Sequence, residues 1–191
     1  MTVQTIQGFL LSRHWRDAHG GVELEYWFAT DQGPLCALVR GQRSVFFLAE
    51  GDAARARELL PVAVDIQPLA LRDFTMQPVV ALYCNSQQAA RRNAEALREA
   101  GLEPLEADIN PADRFLMERF IQGGVELQGV LEERGGHLLM HDPRLRPSEF
   151  RPTLRVVSFD IETAMEGLQL YSIGVHASGG GEDLRHVFML G

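Results

Sequence analysis

The chain has 191 residues, 46% of them hydrophobic and 23% charged, an ordinary balance for one large or two small globular domains with a real core. No apolar run approaches the ~20 residues of a membrane helix, and nothing reads as a signal peptide, so the expected setting is cytoplasmic with no membrane partner. The net charge, 18 − 26 = −8, argues against free-standing nucleic-acid binding driven by phosphate contacts. Every Lys/Arg position is arginine.

Residues 4–40 read as a β meander. Ile6–Trp15 and Val22–Thr30 are strand-like across the turn Asp17–Gly21, and Asp31–Pro34 turns the chain into Leu35–Val39. Trp15, Tyr26, Trp27 and Phe28 suit core and cross-strand packing better than base stacking. Cys36 and Cys84 sit inside strand-like runs with no metal-ligand spacing, as small buried hydrophobes in a reduced compartment.

From Ser44 the pattern alternates. Ser44–Ala49 is a strand, and Asp52 is placed to cap a helix that Pro61 stops. Val62–Leu71 is extended and Pro78–Cys84 is the next strand. Ser86 caps a helix to Ala100 with Ala89, Ala90, Ala94 and Leu97 inward, and Gly101 ends it. Leu102–Ala107 is predicted as the closing strand. This β-α-β-β-α-β order is ferredoxin-like, within an α+β, β-rich domain. Such units often bind RNA, but only Phe46, Phe47 and Tyr83 are suitably placed, and the basic signature is missing.

Asn110-Pro111 opens a third helix, with Phe115, Leu116, Phe120 and Ile121 as its apolar side, ended by Gly123-Gly124. Val125–Glu132 and His137–Met140 are predicted as a hairpin, a context in which His137 and His141 share no metal-binding face. Residues 141–152 hold three prolines, Pro143, Pro147 and Pro152, and read as an extended linker outside regular structure. Arg144, Arg146 and Arg151 make it basic; a solvated linker is the plainer reading, a DNA phosphate contact the other.

Thr153–Thr163 opens as an apolar strand and ends on two carboxylates. Residues two apart share a side, so Asp160 and Glu162 project together while Phe159 and Ile161 point the other way. Paired carboxylates at a strand end suit a hard cation such as Mg²⁺, although Asp-x-Glu alone is a weak pattern. Leu168–Val175 and Leu184–Leu190 are predicted as two further strands around the glycine-rich turn Ser178–Asp183. Alternating Tyr171, Ile173 and Val175, then Val187 and Met189, predict an apolar face on this small sheet.

Phe159-Asp160-Ile161-Glu162-Thr163 resembles the first exonuclease motif of the family B DNA polymerases. Arg13–Asp17, Ala29–Leu35, Pro68–Phe74 and Arg114–Ile121 resemble the amino-terminal region of the bacterial DNA polymerase II family. The resemblance implies an N-terminal domain over 1–148 and, over 149–191, the opening antiparallel strands of an RNase H-like 3′–5′ exonuclease. It implies catalytic and metal-ligating roles for Asp160 and Glu162, with Asp160 bridging two Mg²⁺ ions and Glu162 ligating one. DNA primer-template and nucleotides are the implied partners of the intact enzyme, with roles in repair and replication; a sliding clamp is left undecided. These 191 residues alone are expected to be inactive. The alternative is a small stand-alone ferredoxin-like module that binds a protein or single-stranded nucleic acid.

Overall fold

The structure is a computed structural model that describes residues 2–167 and 169–190. The chain forms two units, Met1–Phe150 and Arg151–Gly191.

In the first unit, β1 (Val3–Ala18), β2 (Gly21–Thr30) and β3 (Gly33–Gln42) form the expected antiparallel meander. Val22, Leu24, Tyr26 and Phe28 are buried at every second position of β2, the alternation that a strand with one core face requires. Gly21 is needed at the turn. Its φ is +144°, and a Cβ there would lie 2.7 Å from the Gln42 carbonyl oxygen.

Two later strands, β7 (Gly124–Arg134) and β8 (His137–His141), form the predicted hairpin, and their pairing closes the sheet. β1 pairs with β2 along one edge and, through residues 3–9, with β7 along the other; β8 runs parallel to β3. The ring β1-β2-β3-β8-β7-β1 is therefore a five-stranded barrel. Ile6, Tyr26, Phe28, Leu35, Val125, Leu127 and Met140 fill it. The α3 helix (Pro111–Met117) adds Ala112, Phe115 and Leu116 to this core, and the Tyr26 hydroxyl donates to the Ala112 carbonyl at 2.8 Å. Asn110 caps α3 as predicted, its side chain accepting from the Asp113 amide at 2.9 Å. The helix is shorter than predicted, however. Phe120 has left-handed backbone (φ 56°) and is exposed, so only Ile121 beyond the helix reaches the core.

Between β3 and α3 the chain forms β4 (Ser44–Ala49), α1 (Ala53–Leu59), β5 (Asp65–Arg72), β6 (Pro78–Cys84) and α2 (Gln87–Glu99). The sheet order is β4-β6-β5, all antiparallel. Phe46, Leu48, Val80 and Leu82 meet Ala90, Ala94 and Leu97 of α2 in a second core. Each such large side chain contributes about 1.5–3 kcal/mol by leaving water. Ser86 caps α2 as predicted, accepting from the Ala89 amide at 3.0 Å.

Three further sequence expectations are corrected in this unit. Asp52 caps nothing: a short 3₁₀ turn, Glu50–Asp52, leads directly into α1, and Asp52 already has helical backbone. Leu102–Ala107 is not a strand but a single antiparallel bridge between Leu105 and Phe47. Pro104 has no amide to donate and Glu106 has φ 54°, so pairing cannot propagate on either side. The proline-rich stretch is partly regular: β9 (Arg144–Pro147) pairs with β7 and buries Leu145 opposite Leu127. Pro147 ends that strand, where its missing amide costs the ladder little.

The second unit is a meander of β10 (Val156–Thr163), β11 (Leu170–Gly179) and β12 (Glu182–Met189). Gly180-Gly181, with φ +68° and +87°, makes the two-residue turn read from the glycine run. The predicted first residue of β11, Leu168, lies outside the described residues. The register corrects the apolar face. Ile161, Ile173 and Phe188 lie in one row, as do Phe159, Val175 and His186, whereas Val187 and Met189 fall opposite Gly174 and Ser172 on the other side.

Candidate functional site

β10 carries the acidic motif. Val156, Val157, Phe159 and Ile161 favour the pleated backbone, and the strand's alternation turns Asp160 and Glu162 to one face. Across the ladder Asp160 faces Gly174 and Glu162 faces Ser172; beyond Gly174 lies Val187 of β12. Asp160 is exposed and accepts a hydrogen bond from the Ile161 amide at 3.0 Å. Asp160 and Gly174 line a shallow concavity with Ser158, His176 and Arg185. At its edge Asp183 accepts from Arg185 at 3.1 Å and contacts the His176 ring nitrogen at 2.8 Å. Arg185 first, then His176, holds the Asp183 carboxyl below its ordinary range.

Two exposed carboxylates on one face are the oxygen donors that a hard cation takes. Among the described residues, no group of three or more His, Cys, Asp or Glu converges to hold a metal. Asp160 and Glu162 thus fit Mg²⁺ in kind and supply only part of its coordination, leaving water or phosphate oxygens to complete it.

Other candidates are occupied by packing. Cys36 and Cys84 are buried, and burial is the main cause that pushes both thiols up, Cys36 to about 11. His137 packs against the Trp27 ring at 5.0 Å. Of the aromatics considered as a base platform, Phe46 is in the core, Phe47 lies under the Arg114 guanidinium at 5.2 Å, and Tyr83 lies under Arg43 at 4.1 Å. Arg144 and Arg146 stand in strand β9 opposite Gln128 and Glu126. Gly174 was not singled out from the sequence, although an isolated glycine inside a strand pattern is a signal worth following.

Residues 8–43 match the family described as DNA polymerase II, N-terminal, and residues 44–102 match DNA polymerase II, insertion domain. Over 187 residues, 96% of the chain, the sequence is 41% identical to DNA polymerase II of Escherichia coli (strain K12). The chain is thus similar to DNA polymerase II over nearly its whole length. It spans 23% of that relative's length. A DNA polymerase catalytic subunit of human cytomegalovirus (strain AD169) is 29% identical over 53% of this chain and 10% of its own length. The fold matches the family B DNA polymerase from Pyrobaculum calidifontis with a TM-score of 0.68 at 20% identity, covering 97% of this chain and 27% of that one.

The polymerase II matches coincide with the architecture. Residues 8–43 cover β1 from Gly8 through β3, and the insertion domain begins at Ser44, where the chain leaves the barrel for β4. It ends at Leu102, just beyond α2. The insertion thus interrupts a barrel whose remaining strands, β7 and β8, come after it in the chain.

Proposed function

We propose that these residues are the amino-terminal region of a DNA-directed DNA polymerase of family B with 3′–5′ proofreading exonuclease, acting in DNA repair and replication. The observation that carries the reading is the 41% identity to E. coli DNA polymerase II across 96% of the chain. In this reading residues 1–148 are the N-terminal domain, and 149–191 begin the exonuclease domain. The order Leu105-β4-β6-β5 supports a ferredoxin-like unit whose fourth strand is reduced to one bridge. The meander β10-β11-β12, with carboxylates on its first strand, supports an RNase H-like start.

Asp160 and Glu162 would hold Mg²⁺, which when bound supplies a polarised water and charge neutralisation at the scissile phosphate. The strand contributes position. A rigid ladder fixes both carboxylates on one face without the entropy of a loop, while the exposed side lets DNA approach. Primer-template DNA and nucleotides are the proposed substrates of the intact enzyme.

The test is made on the full-length polymerase. Asp160→Ala with Glu162→Ala is expected to reduce primer degradation without nucleotides on the order of a thousandfold, with primer extension nearly unchanged. Degradation at the wild-type rate in this variant would reduce the motif to a strand end.

A further inference from the structure

We infer that one face of β1, through Arg13, Trp15 and Asp17, is the internal docking surface that fixes α3 and the insertion against the barrel, with Asp17 as the catch that holds the insertion. The inference is independent of the exonuclease reading. It gives a role to the block Arg13–Asp17, which the proposed function leaves without one.

Beyond Phe9, β1 no longer pairs with β7 and is held by β2 alone. In that register Arg13, Trp15 and Asp17 stand opposite Tyr26, Leu24 and Val22. Opposed residues of an antiparallel pair share a face, and these three partners are core residues, so Arg13, Trp15 and Asp17 are on the core side of the hairpin. Two of the three are charged, on a face that β2 fills with core side chains. Each has a partner on another element. Arg13 pairs with Asp113 of α3. Trp15 lies under the Arg91 guanidinium of α2 at 5.5 Å. The Asp17 carboxylate accepts from the Gln87 amide at 2.7 Å and from the Gln88 amide at 3.0 Å.

The first amides of a helix have no partner within it. In α2 the local cap Ser86 serves Ala89, and Asp17, from another strand, serves Gln87 and Gln88. A carboxylate at that place also meets the positive end of the helix dipole. The spacings match: Gln87 and Arg91 are ~6 Å apart along the helix, and Asp17 and Trp15 are ~6.8 Å apart along the strand, so both contacts form together.

Packing does not replace this attachment. Among the described residues the barrel core and the insertion core have no member in common, and the strands of the insertion pair with one another and with the Leu105 bridge. Without a shared core, the position of one part on the other is left to specific contacts. Another crossing contact is made by Arg114 of α3, which lies over Phe47 and donates to the Glu106 carbonyl and carboxylate at 3.2 and 3.0 Å. That contact tethers the insertion at its return crossover. Asp17 and Trp15 hold it at a second place and so set its angle. Loss of Asp17 therefore lets the insertion turn about its crossovers while both cores stay intact.

The experiment uses the full-length protein, with spin labels on cysteines placed at two exposed positions, Glu95 of α2 and Glu133 of β7, and other reactive cysteines replaced. The distance distribution between the labels and amide hydrogen exchange are measured for the wild-type background, Asp17→Ala, Asp17→Asn and the control Asp31→Ala, an exposed acid in the β2–β3 turn. The expected result is one narrow distribution in the background and the control, and a broad one in Asp17→Ala. Gln87 and Gln88 exchange roughly tenfold faster in that variant, while the core strands β4 and β6 keep their protection. Asp17→Asn, which keeps an acceptor and loses the charge, falls between and decides the matter if the Ala variant does not fold. A narrow distribution in the Asp17 variants that fold overturns the inference. So does equal broadening in Asp31→Ala, or broadening accompanied by lost protection in β4 and β6, which would mean that the insertion unfolds instead of turning.

Discussion

At the scale of single residues, Asp142 shows how one side chain helps close a barrel. β3 and β8 are parallel and far apart in sequence, so no tight turn joins them. Asp142, just past β8, donates its amide to the Leu38 carbonyl at 2.7 Å. Its carboxylate accepts from the Arg40 amide at 2.8 Å and from the Arg40 guanidinium at 3.0 and 2.6 Å. The Arg40 side-chain hydrogen bond is the chief cause that holds this carboxyl below its ordinary range. A depressed carboxyl stabilises the fold when ionised. That contribution is complete above the unfolded value of ~3.9 and is lost as pH falls through the lower folded value. Asp142→Asn is expected to cost about 1 kcal/mol at pH 7, a small figure because the pair is half-exposed. Denaturant titrations at pH 7 and in acid check the sign: the gap between wild type and variant should close in acid, and a gap that widens there contradicts the assignment.

At the scale of elements, what was legible in the sequence was local. The meander, the Ser86 and Asn110 caps and the Gly180-Gly181 turn all depend on residues within a few positions of one another. The shared face of Asp160 and Glu162 follows from the period of a strand. Barrel closure was not legible, because it pairs Val3 with Val130 and Leu35 with Leu138, and a period of two names no partner. The same limit hid the row Asp160-Gly174-Val187. It also misplaced Val187 and Met189, since the face of one strand relative to the next is set by register. Composition misled at residues 141–152, where three prolines suggested a linker but Leu145 had a core position to fill. Phe120 and Asp52 had suitable chemistry, yet backbone conformation set by the neighbouring turns excluded both roles.

The strand β9 also bears on where the chain should be cut. Proline follows Arg146 and Arg151, so trypsin's usable sites in this stretch are Arg144 and Arg155. Arg144 is paired in β9, whereas Arg155 lies outside the strands, just before Val156. Limited trypsin digestion of this chain should cut first after Arg155 and leave residues 1–155 intact. First cleavage after Arg144, or inside residues 44–107, would contradict the pairing of β9 or the integrity of the inserted unit.

At the scale of the whole molecule, the chain is a barrel interrupted by a two-helix, three-stranded insertion, together with a small meander that displays two carboxylates. Of the aromatics considered as a base platform, Tyr83 and Phe47 are covered by Arg43 and Arg114, which pair in turn with Asp65 and Glu106. The chain spans 23% of its E. coli relative, and the function proposed above makes it a part of a larger enzyme rather than a stand-alone binding module. The direct measurement is the size of the native product, detected in its own cells with an antibody against residues 1–150. The account predicts a single chain several times longer than 191 residues, carrying primer extension when immunoprecipitated. A native product of this length without polymerase activity would contradict it.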